Sequence, residues 1–488
     1  MATTTNTPAR PKAMIPFLVV SSSMTYRIYH DAPVLQHLMC ILEVCGTIAA
    51  MNDQGRMFFE IRGGKKLSGS IDVDTSKNGA MALFAGALLN KAPTTLKRVP
   101  RIEEVFRLIE VLESIGVRVV WKKNDVTIVP PETYDLSSLN IESARRTRSI
   151  ILFIGPLLHH IAKFSLPHSG GCRLGSRTVR PHFYALERFG VHIATLNDVW
   201  RVTRDTLRPA EVIMYESSDT ATENALMAAA CIPGVTTIKY ASANYQVQEL
   251  CFFLERCGVR VEGIGTTTLT VHGVRSINTP VVYELAEDPI IAMFYIAAAA
   301  VTRSSITIKR APIEFLEQEL LVLEKMGFRY DIVRRYKARN KRTNLVDIKT
   351  HPSVLTAPAD KIHARPYPGL NMDNLPFFAV IATQAKGTTL IHDWMYEKRA
   401  IYFAELDKLG AETMLADPHR IYIEGPAKLR SGELMTPPAL RPAVVLLLAM
   451  LAAPGRSVLR DVYIINRGYE DIAGRLRSIG ADITVGHV

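Results

Sequence analysis

Leu112-Glu-Ser-Ile-Gly116 is the first of six near-copies in this 488-residue chain. The pattern Leu-x-x-apolar-Gly returns at Leu186–Gly190, Leu254–Gly258, Leu323–Gly327, Leu406–Gly410 and Leu476–Gly480, with Cys257 filling the apolar place once. Most of the glycines lie about 70 residues apart. The spacing predicts an amphipathic helix running into each glycine, which takes the left-handed position just past the helix end. A β-type run follows every time: Val117–Trp121, Val191–Ile193, Val259–Val261, Phe328–Tyr330, Ala411–Thr413 and Ala481–Val485.

Short strands are expected upstream at Thr94–Leu96, Thr236–Ile238, Thr307–Ile308 and Thr388–Leu390. Before them come helices such as Asn78–Leu89, Ala221–Cys231 and Ile290–Val301. These are apolar nearly all round, so they belong inside a structure. One unit reads β-α-β-α-β, and six of them predict an α/β protein. A unit this long is unusual for one turn of a solenoid. Two lobes of three units, with sheets wrapped around internal helices, is the expected arrangement.

The length agrees with two or more domains. The longest apolar segment, Pro442–Pro454, is too short to span a bilayer and reads as a buried helix. A net charge of +11 fits nucleic acid, an anionic membrane or acidic small molecules. The basic residues are dispersed, however, and no nucleic-acid-binding module is recognisable. The one dense run, Lys337–Arg342, reads as a solvated loop. Six cysteines (40, 45, 172, 231, 251 and 257) show no CxxC or Cys/His spacing. Neither a metal site nor a disulfide framework is expected, and a reducing, cytoplasmic setting fits best. The regular pattern opens at Met57; Met1–Arg56 is an extension into which no function is read.

Two stretches suit anion chemistry. Ser68–Gly79 ends a strand and opens a buried helix, where free N–H groups and a lysine favour a phosphate. Lys77 is there either a phosphate ligand or a solvent-facing residue behind a capped helix. In either case it is expected to bury little surface, so its removal should spare folding. The loop Ser169–His182 carries three glycines, Cys172 and three arginines, a setting that lowers a thiol pKa. Arg145–Arg148, Asp373 in a Pro/Gly/Asn turn, Arg399 and Arg467 stand at other turns between repeat elements.

Taken together, Ser76-Lys-Asn78, Thr147-Arg-Ser149, Gly170-Gly-Cys-Arg-Leu-Gly-Ser-Arg177, Ala221-Thr-Glu-Asn224, Asp373, Glu397-Lys-Arg399, Leu440-Arg441 and Asn466-Arg-Gly-Tyr-Glu470 resemble the enolpyruvyl transferase family over residues 57–488. The Gly-Gly-Cys loop separates the branch acting on UDP-N-acetylglucosamine from the shikimate branch. The resemblance implies an inside-out α/β barrel in two domains, residues 57–76 plus 288–488 and residues 77–287. It implies transfer of enolpyruvyl from phosphoenolpyruvate to the sugar 3-hydroxyl, in peptidoglycan precursor synthesis, with no cofactor, metal, nucleic acid, membrane or protein partner.

By the same resemblance, Lys77, Asn78, Arg177, Arg399, Arg441 and Arg467 would bind phosphoenolpyruvate. Arg148, Asp373 and Met395 would contact the UDP-sugar. Cys172 would be the general acid, Asp373 the base, and Lys77 part of the catalytic set. The chain departs from the family pattern at Ser218-Asp-Thr220, Asn244-Tyr-Gln246, Arg180, Ala439, Ile464 and Asn466. By the resemblance, Ser218-Asp-Thr220 and Arg180 would stand near the nucleotide, so the catalytic set matches better than the nucleotide set. Transfer to another nucleotide or nucleotide-sugar, and a UDP-sugar-binding protein without turnover, remain as alternative readings.

Overall fold

A computed structural model describes residues 57–168 and 178–487. All six repeat glycines, Gly116, Gly190, Gly258, Gly327, Gly410 and Gly480, have φ between 86° and 95°. The strands after them are Arg118–Lys122, Val191–Leu196, Arg260–Glu262, Arg329–Lys337, Glu412–Asp417 and Ile483–His487. Each forms an edge of a different sheet, and six sheets are present among the described residues. The fifth pre-glycine segment departs from expectation: Ala400–Leu409 is a 3₁₀ rather than an α-helix.

Gly258 isolates the backbone contribution, because a Cβ placed there would meet nothing within 4 Å at φ +93°. Gly258→Ala is therefore expected to cost about 1–2 kcal/mol from backbone conformation alone. Gly258→Asn should cost less. Urea unfolding midpoints would measure both, and an unchanged alanine variant would sink the argument.

The repeats are not self-contained. Met57–Gly63 pairs antiparallel with Gly455–Arg460 and with Ile483–His487, so the first strand completes the last sheet. Ser68–Asp72 joins Ser305–Pro312 in parallel, Ile71 opposite Ile308. Val281–Glu284 joins Thr94–Lys97 in parallel. Inward-facing residues of three sheets feed one apolar cluster, among them Ile61, Ile348 and Ile423. Those of the other three, such as Ile128, Val202 and Val271, feed a second. Each cluster is filled by helices. Pro289–Val301, Leu375–Ala382 and Leu440–Ala452 pack on one another in the first core. Lys77–Gly86, Asp219–Ala230 and the 148–157 segment do so in the second. No helix among the described residues is long and apolar enough to cross a membrane.

The basic run is a hairpin turn after Lys337, and it is not merely solvated. Arg339 pairs with Glu284 at 3.2 Å. Arg342 pairs with Glu255 at 2.6 Å and lies over the Phe252 ring. These partners lie on elements of the second core, while the hairpin grows from the first.

The chain passes between the cores twice, at adjacent places. Ser76 N–H donates to Ala286 O and Asp288 N–H to Asp74 O, each at 2.8 Å. Asp288 caps the first helix of both cores, accepting from Lys77 N–H at 3.2 Å and from Ile290 N–H at 2.8 Å. Glu287 is held by Arg98 at 2.7 Å and by Arg310.

Behind this crossing lies Glu249, which accepts the Ala286 N–H at 2.6 Å through one oxygen. Burial, opposed by that bond and reinforced by Glu287 and Asp288, pushes its carboxyl up to about 8. The folded protein keeps this proton to about pH 8, whereas the unfolded chain loses it near 4.5. Stability should therefore fall as pH rises between those values. Glu249→Gln, of equal volume and always neutral, is expected to match wild type near pH 4.5 and to exceed it in melting temperature above about pH 8. Parallel melting curves for the two proteins would count against the buried proton.

Candidate active site

Lys77 is the first residue of its helix, and Ser76 caps it, its hydroxyl accepting the Gly79 N–H at 2.9 Å. The lysine does not face solvent. Its Nζ lies 3.0 Å from Glu104 and donates to Asn78 Oδ1 at 3.2 Å. Glu104 stands in the first turn of Glu103–Ser114, where the helix dipole favours a carboxylate. Arg467 reaches the same Glu104 oxygen at 4.0 Å. Burial would raise the Glu104 carboxyl, but Lys77 and Arg467 outweigh it and hold it below its ordinary value. The expectation that removing Lys77 spares folding is corrected here, since truncation would strand a buried carboxylate.

Thr147 and Ser149 also turn hydroxyls toward Glu104, at 3.5 and 3.4 Å. Between them Arg148 begins a 3₁₀ segment. Arg148 is near enough to His182 to reinforce the lowering that burial causes there, to about 3.

A second cluster forms around Asp373, just ahead of the helix Leu375–Ala382. Arg441 meets it at 3.1 Å and Arg399 at 3.8 Å, and the Tyr396 hydroxyl donates at 3.4 Å. Burial alone would raise this carboxyl; Arg441 and Arg399 prevail and hold it at about 2. Arg441 also donates to the Tyr469 hydroxyl at 2.9 Å. Met395, half-buried, packs beside Tyr396 and Ala439.

Arg399 is sited differently from an open anion ligand. It is 0% exposed, forked onto Asp393 at 2.5 and 2.9 Å, bonded to Met372 O at 2.6 Å and stacked 3.9 Å from the Tyr396 ring centre. Toward the cluster it meets the Tyr396 ring and, at 3.8 Å, Asp373.

Cys172 and Arg177 lie outside the described residues. Burial raises the thiols of Cys231 to about 11 and Cys257 to about 12, and also raises that of Cys251. Sequence reasoning missed Glu104, Asp393, Tyr245 and Tyr469. Readable signals existed in the acidic pair Glu103-Glu104 at a helix start and in the quoted stretches that contain Tyr245 and Tyr469, to which no role was given.

The profile of the EPSP synthase (3-phosphoshikimate 1-carboxyvinyltransferase) family matches residues 61–476. The chain belongs to this enolpyruvyl transferase family. Its relatives include UDP-N-acetylglucosamine 1-carboxyvinyltransferase of Bradyrhizobium diazoefficiens, 35% identical over 87% of this chain and 96% of that protein. The protein of the same description from Treponema denticola is 34% identical over 87% and 98%. Among solved structures, the enolpyruvyl transferase NikO from Streptomyces tendae superposes with a TM-score of 0.77 at 25% identity, covering 89% of this chain and all of that one. EPSP synthase from Acinetobacter baumannii, at 18% identity and a TM-score of 0.69, shares the family's mixed α/β fold. No group of three or more His, Cys, Asp or Glu that could hold a metal ion occurs among the described residues.

Proposed function

We propose that this chain transfers the enolpyruvyl group of phosphoenolpyruvate to the 3-hydroxyl of UDP-N-acetylglucosamine, releasing phosphate, in peptidoglycan precursor synthesis. The observation that carries the reading is the gathering of Lys77 and Arg467 on one buried carboxylate, with Arg441 and Asp373 in the adjoining cluster. Such a set holds strongly anionic groups where charge concentrates on a departing phosphate. The architecture is read as two inside-out α/β barrels, residues 57–76 plus 288–488 and residues 77–287, with the substrates between them.

In this reading Cys172 protonates the methylene carbon C3, and the sugar oxygen bonds to C2 as Asp373 takes its proton. A tetrahedral intermediate results. The C2–O bond to phosphate then breaks, and C3 returns its proton as the double bond reforms. Asp373 at about 2 is too weak a base while Arg441 holds it. Drawing Arg441 onto an incoming anion would raise the carboxyl and prepare it for the hydroxyl proton. Lys77, Asn78, Arg177 and Arg467 bind phosphoenolpyruvate, Arg148 and Met395 face the nucleotide-sugar, and Arg399 acts by orienting Asp373.

Transfer to another nucleotide or nucleotide-sugar is the second reading. In its favour, two of the departing stretches are wired together. Asp219 accepts from Ser242 and from Asn244, and Gln246 donates to Glu223. Phosphate release from phosphoenolpyruvate, assayed against a panel of UDP-sugars, free nucleotides and shikimate 3-phosphate, tests both. Release dependent on UDP-N-acetylglucosamine is expected. Release with a different acceptor alone would move the assignment, and none with any acceptor would overturn it.

A further inference from the structure

Tyr245 belongs by chain to the second core and by contact to the first. It opens the helix Tyr245–Arg256, whose Val247, Leu250 and Phe253 pack in the second core. Its own ring lies with the first-core residues, 4% exposed. The ring meets Phe315 edge-on, centroids 5.8 Å apart, and Phe315 rests in turn on Tyr367. The backbone below is fixed as well. Asn244 Oδ1 accepts the Tyr245 N–H at 2.9 Å, and its Nδ2 donates to Asp219 at 2.9 Å.

The hydroxyl accepts from Asn78 Nδ2 at 3.0 Å, while Asn78 Oδ1 accepts from Lys77 Nζ at 3.2 Å. An asparagine amide has two faces, and an unheld one flips readily between them. Here a cation fixes the oxygen and a phenol fixes the nitrogen. Burial, then the fields of Asp288 and Asp373, keep that phenol protonated at working pH.

We infer that Tyr245 is a positioning residue: its hydroxyl sets the orientation of the Asn78 amide, and its ring, anchored on Phe315, makes that orientation depend on the seating of the two cores. The second Asn78 N–H is thereby aimed for a substrate oxygen. This inference rests on Asn78 as a ligand of phosphoenolpyruvate.

The experiment compares wild type, Tyr245→Phe, Asn78→Ala and the double variant. Tyr245→Phe keeps the ring and its packing, so folding should be unchanged, with melting curves as the check. Its kcat/KM for phosphoenolpyruvate is expected to fall about three- to tenfold, the worth of one neutral hydrogen bond. In the Asn78→Ala background the same change should do nothing further, because the two residues act through one bond. Wild-type kinetics in Tyr245→Phe, or losses that simply multiply, would overturn the inference.

Calorimetric titration with phosphoenolpyruvate alone gives a readout without turnover. If wild type binds but releases no phosphate, the functional reading fails, and the same non-additivity in affinity upholds Tyr245. If phosphoenolpyruvate does not bind at all, both fall.

Discussion

Lys77→Ala is expected to lower kcat/KM for phosphoenolpyruvate by about one to two orders of magnitude, the worth of a charge-assisted hydrogen bond of roughly 1.5–3 kcal/mol. It should also cost stability, because Glu104 is buried and would keep Arg467, at 4.0 Å, as its one cation among the described residues, beside the long Thr147 and Ser149 hydroxyl contacts. The lysine is partly exposed, so this second cost should be below that of a fully buried pair, about 1–3 kcal/mol. The two losses can be separated. Lys77→Ala combined with Glu104→Gln removes the stranded charge and should recover most of the unfolding midpoint, yet none of the activity. Lys77→Arg should rescue poorly, since a planar fork does not replace an ammonium group in shape or reach. Full turnover by folded Lys77→Ala protein would sink the phosphate-site assignment.

Arg399→Ala is expected to be the most damaging single change to stability, at about 3–5 kcal/mol. A protein with an ordinary margin of about 5–15 kcal/mol would be left close to unfolding. The substitution removes a forked ion pair, a bond to the Met372 carbonyl and a stacked ring at once. Burial already lifts the Asp393 carboxyl despite its arginine. The unpaired Asp393 should therefore take up a proton as pH falls, and the deficit should shrink toward acid pH. Arg399→Lys should recover only part, because an ammonium lacks the planar fork that meets both carboxylate oxygens and lies against the Tyr396 ring. Urea midpoints across pH would measure this, and a deficit independent of pH would refute the ionic account.

What the sequence disclosed was local. The six glycines were readable because a left-handed residue closing a helix is a property of its own backbone, and all six adopt it. The buried helices announced themselves in the same way, whereas the choice of Ser76 over Thr75 as the cap came from the structure. The ion pairs did not. Nothing in the chain says that Lys77 meets Glu104 rather than another carboxylate, because that choice depends on how two helices pack. Arg399 and Asp393 lie six positions apart, yet the pairing was hidden by the turn between them. The basic run at 337–342 is the exposed turn that its composition implies, but its partners, Glu255 and Glu284, were hidden for the same reason: they belong to the other core. Tyr245 was visible only as a departure from a pattern, and the ring contact that gives it meaning comes from Phe315.

The two adjacent crossings bear on the order in which the protein assembles. Lys77 and Asp288 are 211 positions apart in sequence and bonded in space. Gathering an unstructured loop of that length costs about 5 kcal/mol in chain entropy. If the outer core formed first, it would bear that cost before gaining any contact between its two pieces. If the intervening segment folds first, its ends already meet, and the outer chain in effect runs on from Asp74 to Asp288 in one step. The parallel pairing of Ser68–Asp72 with Ser305–Pro312 then becomes a short-range event in a chain that, on paper, separates those strands by more than two hundred residues.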